Sequence, residues 1–189
     1  MTNLSDIQGA FGKNDAAKAT ALHTTISTMV DEGPSTLTAS WDEVNAVADM
    51  STHVVAPATG NVTLSAAVHG NRILYYDDAD GVITLPAATG SGNKYTIILK
   101  TAFTSGTIVG LTNSATFLGG LVGVDTDSPA AYAWQCASGN NLISGSGTAT
   151  GGKVGDMYVL VDIATNLYHV SGYIKQSGGS EVTPFSTAS

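Results

Sequence analysis

The chain has 189 residues, enough for one ordinary domain with an extension and for a core that needs no disulfide or metal staple. With 43% hydrophobic but only 12% charged residues, and 22 glycines, it suits short strands joined by tight turns. Fifteen acidic against seven basic residues leave a net charge of −8, which argues against a nucleic-acid partner, and no window approaches the ~18 to 20 apolar residues of a membrane-spanning helix. Cys136 is the single cysteine and has no internal disulfide partner, while Met1-Thr2-Asn3-Leu4-Ser5-Asp6 lacks the basic start and apolar run of a secretory signal. The expectation is a soluble product made in the cytoplasm, with no membrane or nucleic-acid partner.

Residues 14 to 32 are the best helix candidate. Asn14 or Asp15 can cap the start, Leu22, Ile26, Met29 and Val30 recur at helical spacing, and Gly33-Pro34 ends it. From Pro34 to about Gly60 the composition is that of a linker, with a short amphipathic piece around Trp41, Val44 and Val47. Residues 1 to 57 carry seven acids against two bases, a net −5, and the remainder eight against five, a net −3. The two regions are therefore expected to have different partners.

Beyond Gly60 the pattern becomes strand after strand: Val62 to Val68, Arg72 to Tyr76, Val82 to Leu85, Lys94 to Lys100, Thr107 to Leu111, Ala130 to Cys136, Asp156 to Ile163 and Tyr168 to Ile174. Gly70-Asn71, Asp80-Gly81, Gly92-Asn93, Gly139-Asn140 and Gly155-Asp156 are turn signals between them. Short strands with no helical pattern between them predict a mainly-β fold, an antiparallel β-sandwich or barrel of jelly-roll type, preceded by a partly helical N-terminal arm. The expected division is an arm over 1–59, a β-domain over 60–175 and a tail over 176–189 anchored by Pro184-Phe185. The expected core is Val62, Leu64, Ile73, Ile83, Leu85, Ile97, Leu99, Ile108, Trp134, Val159, Val161, Ile163 and Val170.

Few motifs point to chemistry. Gly147-Thr148-Ala149-Thr150-Gly151-Gly152-Lys153-Val154 comes within one residue of a phosphate-binding loop, but Val154 stands where Ser or Thr must hold Mg²⁺ and a strand-like run follows instead of a helix. It reads as a Gly-rich hairpin loop. Asp77, Asp78 and Asp80, and separately Asp125 and Asp127, are the candidates for a hard cation such as Ca²⁺, although neither run completes an EF-hand loop and Asp and Gly also favour turns. His23, His53, His69 and His169 stand singly, without zinc-ligand spacing. No G-x-S-x-G occurs, and Cys136 beside Trp134 reads as a small buried hydrophobe. The strand tyrosines and Trp134 are expected in the core or a subunit interface, with exposed members free to stack on sugars. No cofactor and no enzymatic activity are expected.

Two stretches carry a likeness. The first is Asp78-Ala79-Asp80-Gly81 with Thr84-Leu85-Pro86-Ala87-Ala88-Thr89-Gly90-Ser91-Gly92-Asn93-Lys94-Tyr95. The second is Thr150-Gly151-Gly152-Lys153-Val154-Gly155-Asp156 with Val161-Asp162-Ile163-Ala164 and His169-Val170-Ser171-Gly172, closing on Glu181-Val182-Thr183-Pro184-Phe185-Ser186. Together they resemble a widespread group of tailed-bacteriophage virion proteins, common in marine and prophage genomes, over residues 60 to 187. The resemblance implies a β-domain carried on virions and no catalytic residues. It also implies that Leu85-Pro86 ends a strand and that the Gly-Gly-Lys-Val-Gly-Asp run turns into the penultimate strand. The function expected is capsid decoration or cementing, with the major capsid protein as partner. A head or tail fibre binding host glycans is the alternative. By analogy with β-rich cement proteins a homotrimer is expected, its arm contacting capsid or neighbour through Leu22, Ile26, Met29, Val30 and Trp41.

Overall fold

The computed structural model describes residues 53–110 and 115–188. The expected helix over 14–32 and the contact residues Leu22, Ile26, Met29, Val30 and Trp41 lie outside the described residues.

The first six strands alternate between two sheets. Strands β1 (Val54–Ala58), β3 (Arg72–Tyr76) and β5 (Lys94–Leu99) belong to a seven-stranded sheet, while β2 (Val62–Thr63), β4 (Val82–Thr84) and β6 (Thr107–Val109) belong to a five-stranded one. A chain that crosses to the opposite sheet after each strand returns to its own sheet pointing the same way. Accordingly β1–β3, β3–β5, β2–β4 and β4–β6 all pair in parallel. The second half adds β7 (Thr116–Asp125), β8 (Ala131–Gln135), β10 (Met157–Ala164) and β11 (Leu167–Gln176) to the larger sheet, and β9 (Leu142–Ser144) and β12 (Phe185–Ser186) to the smaller. Here β7–β8, β5–β10 and β10–β11 are antiparallel, as are β6–β9 and β9–β12, whereas β7–β11 is parallel. The strand orders are β1-β3-β5-β10-β11-β7-β8 and β12-β9-β6-β4-β2. The fold is thus the expected mainly-β sandwich, built from mixed rather than purely antiparallel sheets.

One hydrophobic cluster takes side chains from the inner faces of both sheets. The smaller sheet contributes a single row, Val62–Ile83–Ile108–Ile143–Phe185, each residue opposite the next across the ladder. Its strands need only two or three residues because each delivers one side chain inward. The larger sheet contributes Leu74, Ile97 and Tyr158 in one row and Tyr95, Leu160 and Val170 in the next. Of the expected core, Leu64, Ile83, Leu85, Ile97, Leu99, Ile108 and Val170 are buried, and Val62 and Trp134 pack against it half-buried.

Three expectations need correcting. The strand expected over Val62 to Val68 stops at Thr63, and Ala66–His69 forms one turn of helix, α1. Ser65 caps it through an Oγ that accepts from Val68 N–H, while its own N–H donates to His69 Nδ1 at 3.1 Å, so local bonds displace the ladder. In β10 the expected core residues Val159, Val161 and Ile163 face outward, Ile163 at 43% exposure, and Tyr158 and Leu160 face the core. Ile73 likewise sits on the outer side of β3.

The parity of β10 is set at its two ends. Asp156, fully buried just before the strand, accepts N–H bonds from Gly152 and Lys153 at 2.9 Å each and from Lys175 at 3.0 Å. Asp162, also buried, accepts from the backbone N–H groups of Thr89 (3.0 Å), Gly90 (2.6 Å) and Ser91 (3.1 Å) and from Ser91 Oγ (2.7 Å). Desolvation pushes the Asp162 carboxyl up, yet the bonds from Ser91, Thr89 and Gly90 together hold it below the usual range.

Asp156 behaves in the opposite sense. Burial pushes it up to about 6, against the pull of the three backbone amides. A carboxyl that binds its proton more tightly when folded gives its full contribution to stability below its unfolded value and loses it as pH rises through about 6. Lowering pH from 7 to 5 should therefore stabilise the protein, by about 1 kcal/mol. Asp162, held low, works the other way only near pH 4 and below. Thermal melts across this window should show the rise for the wild type and a flat profile for Asp156→Asn. Parallel profiles would refute the assignment.

Candidate interaction surface

The outer face of the seven-stranded sheet carries a continuous apolar row. Tyr75 of β3 lies opposite Ile98 of β5, which lies opposite Met157, then Tyr173, Val122 and Ala133 in β10, β11, β7 and β8. Six strands at about 4.8 Å spacing make this row about 24 Å long. Tyr75 is 37% exposed, Tyr173 40% and Val122 53%, so it is an open surface and not a second core. Val159, and then Val161 with Leu118, extend it on the same side. Within the described strands the only charged side chains of this face are Lys94, opposite Val161, and Lys175, opposite Val124, at its two ends. All the strand positions on this face are thus apolar, neutral or cationic, in a chain of net charge −8.

The acids singled out as cation candidates are occupied within the fold. Asp77 pairs with Lys100 and accepts from Thr101 Oγ1. Asp78 accepts from Gly60 N–H at 2.8 Å and Asp80 N–H at 2.9 Å, while Asp80 takes the hydroxyls of Thr104 and Ser105. Asp125 accepts from Asp127 N–H at 2.9 Å, and Asp127 from Gly178 N–H at 2.8 Å. The Lys100 bond holds Asp77 below the usual carboxylate range, and the amides of Asp80 and Gly60 do the same for Asp78. No group of three or more metal-capable side chains converges among the described residues.

The near-miss phosphate loop is explained by the same economy. The Gly152 and Lys153 amides, which a phosphate-binding loop turns toward its ligand, donate to Asp156 of the chain itself. Gly145 and Gly152 lie so close to Phe103 and to each other that a Cβ at either would collide, which accounts for the glycines by packing. Cys136 is half-buried beside the core, and burial pushes its thiol up to about 11. His69 serves the α1 turn, desolvation holding it below its ordinary value, and His53 and His169 are half-buried singles; His23 lies outside the described residues.

Behind the face, on the inner side of β8, Gln176 fixes an aromatic pair. Its Oε1 accepts from Trp134 Nε1–H at 2.9 Å, and its Nε2 donates to the carbonyls of Ala149 and Val182 at 2.6 and 3.0 Å. Trp134 stacks on Tyr132 with centroids 5.8 Å apart. Sequence reasoning missed both Gln176 and the β7 members of the row. Alternation within Thr116–Asp125 is interrupted by Gly119-Gly120, and nothing local marks a glutamine as the hub of three segments.

No family model, curated protein or solved structure matches the chain.

Two outcomes follow. Ca²⁺ or chelator should leave the melting temperature unchanged, because the candidate carboxylates already have partners; a marked loss on chelation would contradict this. Gln176→Leu should cost about 2–3 kcal/mol in chemical denaturation, since it strands the Trp134 donor and two carbonyls, and should speed amide exchange in β8.

Proposed function

We propose that the protein is a non-enzymatic structural component of a tailed-bacteriophage virion that decorates or cements the capsid, docking its β-domain through the outer face of the seven-stranded sheet. The observation that carries this reading is the exposed row Tyr75–Ile98–Met157–Tyr173–Val122–Ala133. A monomer free in solution gains nothing from keeping such a surface wet, and contiguous exposed apolar patches mark binding sites. The resemblance over residues 60–187 supplies the virion context. The partner is the major capsid protein, presenting an apolar centre with carboxylates placed for Lys94 and Lys175. Leu22, Ile26, Met29, Val30 and Trp41 in the acidic N-terminal segment supply a second contact to the shell.

One observation favours a second reading. Tyr75 and Tyr173 both stand exposed on this face, as side chains that stack on sugars do, so an adsorption role would use the same surface.

The test is co-sedimentation of the purified protein with capsids that lack it. Val122→Asp, at a 53% exposed position, should retain the fold and weaken binding by about tenfold or more, because it buries an unpaired charge in the contact. Undiminished binding by this variant would remove the face from the reading. A stained gel of virions should show hundreds of copies per particle. A few dozen copies, together with polysaccharide binding abolished by Tyr173→Ala, would favour adsorption.

A further inference from the structure

Among the described residues, four strands form the edges of the two sheets, and three of them are blunted. β2 and β12 are two residues long, and β1 contains Pro57, which has no N–H to offer. The fourth, β8, is different. Ala131-Tyr132-Ala133-Trp134-Gln135 has no charge and no proline, and it pairs with β7 without a register break. Such an edge is a template for another strand.

Which of its groups are available follows from the ladder. Asp125 N–H donates to Ala130 C=O and Cys136 N–H to Gly119 C=O, so Ala130, Tyr132, Trp134 and Cys136 turn their backbone groups toward β7. Ala131, Ala133 and Gln135 turn theirs outward, and no described residue bonds to them. Their side chains are small or neutral and lie exposed on the outer face, so nothing on the strand keeps a second backbone at a distance.

We propose that β8 pairs antiparallel with β8 of a second copy of this chain, about a two-fold axis at Ala133, joining two seven-stranded sheets into one. The strand is self-complementary in this register. Ala133 faces Ala133 of the partner subunit, and Ala131 faces Gln135 of the partner subunit. All three outward residues then fall at hydrogen-bonded positions and form about six main-chain bonds. On the inner side Tyr132 lies opposite Trp134 of the partner subunit, and the reverse, so the Tyr132–Trp134 stack of each copy extends into a cluster of four rings. Gln176 already holds Trp134 in place, so the indole is pre-ordered for the contact. The net charge of −8 opposes association in general, but none of it lies on this strand. The pairing is independent of what the outer face docks to, and it takes the place of the three-fold assembly expected by analogy.

The experiment is sedimentation velocity on the full chain over a wide concentration range, with amide exchange read at Ala131, Ala133 and Gln135. The wild type should pass from monomer to dimer, and those three amides should gain protection as it does. Ala133→Lys places like charges opposite each other at the axis and should give a monomer of unchanged circular dichroism, whereas Ala133→Ser should dimerise as the wild type does. A wild type that stays monomeric, a trimer, or a dimer that survives Ala133→Lys would each overturn the proposal. So would a monomer in which the three amides are protected, because a segment other than β8 of a second copy would then hold the edge. Should Ala133→Lys fail to fold, the concentration dependence of wild-type protection decides alone.

Discussion

Strand β10 is held between two buried carboxylates, and the rest of the domain is arranged around that fact. Asp156 gathers the amides of Gly152, Lys153 and Lys175, and Asp162 those of Thr89, Gly90 and Ser91. They are six residues apart, an even number, so both face inward with Tyr158 and Leu160 between them. A slip of one residue would move both aspartates outward, leave six amides without acceptors and turn Val159, Val161 and Ile163 into the core. Because β10 pairs with β5 on one side and β11 on the other, its parity is passed to the neighbours. The apolar row on the outer face is a consequence of that choice.

The mainly-β class was legible in the sequence because turn residues punctuate short alternating runs. Pairing direction was not. Strand segments look the same whether the chain reverses beside itself or crosses to a facing sheet, and only the alternation of β1 to β6 between sheets makes their pairings parallel. β9 and β12 escaped notice because each delivers one core residue, Ile143 or Phe185, and a single apolar residue has no period. The inverted reading of β10 has a sharper cause. Valine and isoleucine are stronger strand formers than tyrosine and leucine are core markers, and an aspartate in phase with the core argues against burial until its amide donors, up to 73 residues away, are known.

The candidate surface was less legible still. Its six members lie between Tyr75 and Tyr173 on six strands, and only the ladder register brings them into line. The acids that looked functional turned out to hold loops: Asp77 and Asp80 tie the β3–β4 connection to the segment after β5, and Asp127 ties the β7–β8 turn to Gly178. Small, loop-rich strands need such fastenings, because the backbone polar groups of their connections must find partners somewhere. The five candidate carboxylates, Asp77, Asp78, Asp80, Asp125 and Asp127, are thereby engaged in holding loops, and the exposed apolar row owes nothing to them.

The apolar outer face and the open edge meet at Ala133. Its side chain ends the apolar row, while its backbone N–H and C=O sit at the centre of the unpaired edge. If two copies join there, the row of one continues into the row of the other, and twelve strands at about 4.8 Å spacing span about 53 Å. A row one residue wide binds weakly by itself, since little area is buried around each side chain. Two rows fixed in one sheet bind a repetitive partner together, and the second contact forms at the high effective concentration set by the first. A capsid lattice presents such a repeat and a single soluble ligand does not. The two proposals, edge pairing and face docking, would thus favour the same kind of target, and a change at Ala133 that abolished the dimer would then weaken docking to a lattice without touching the rest of the row.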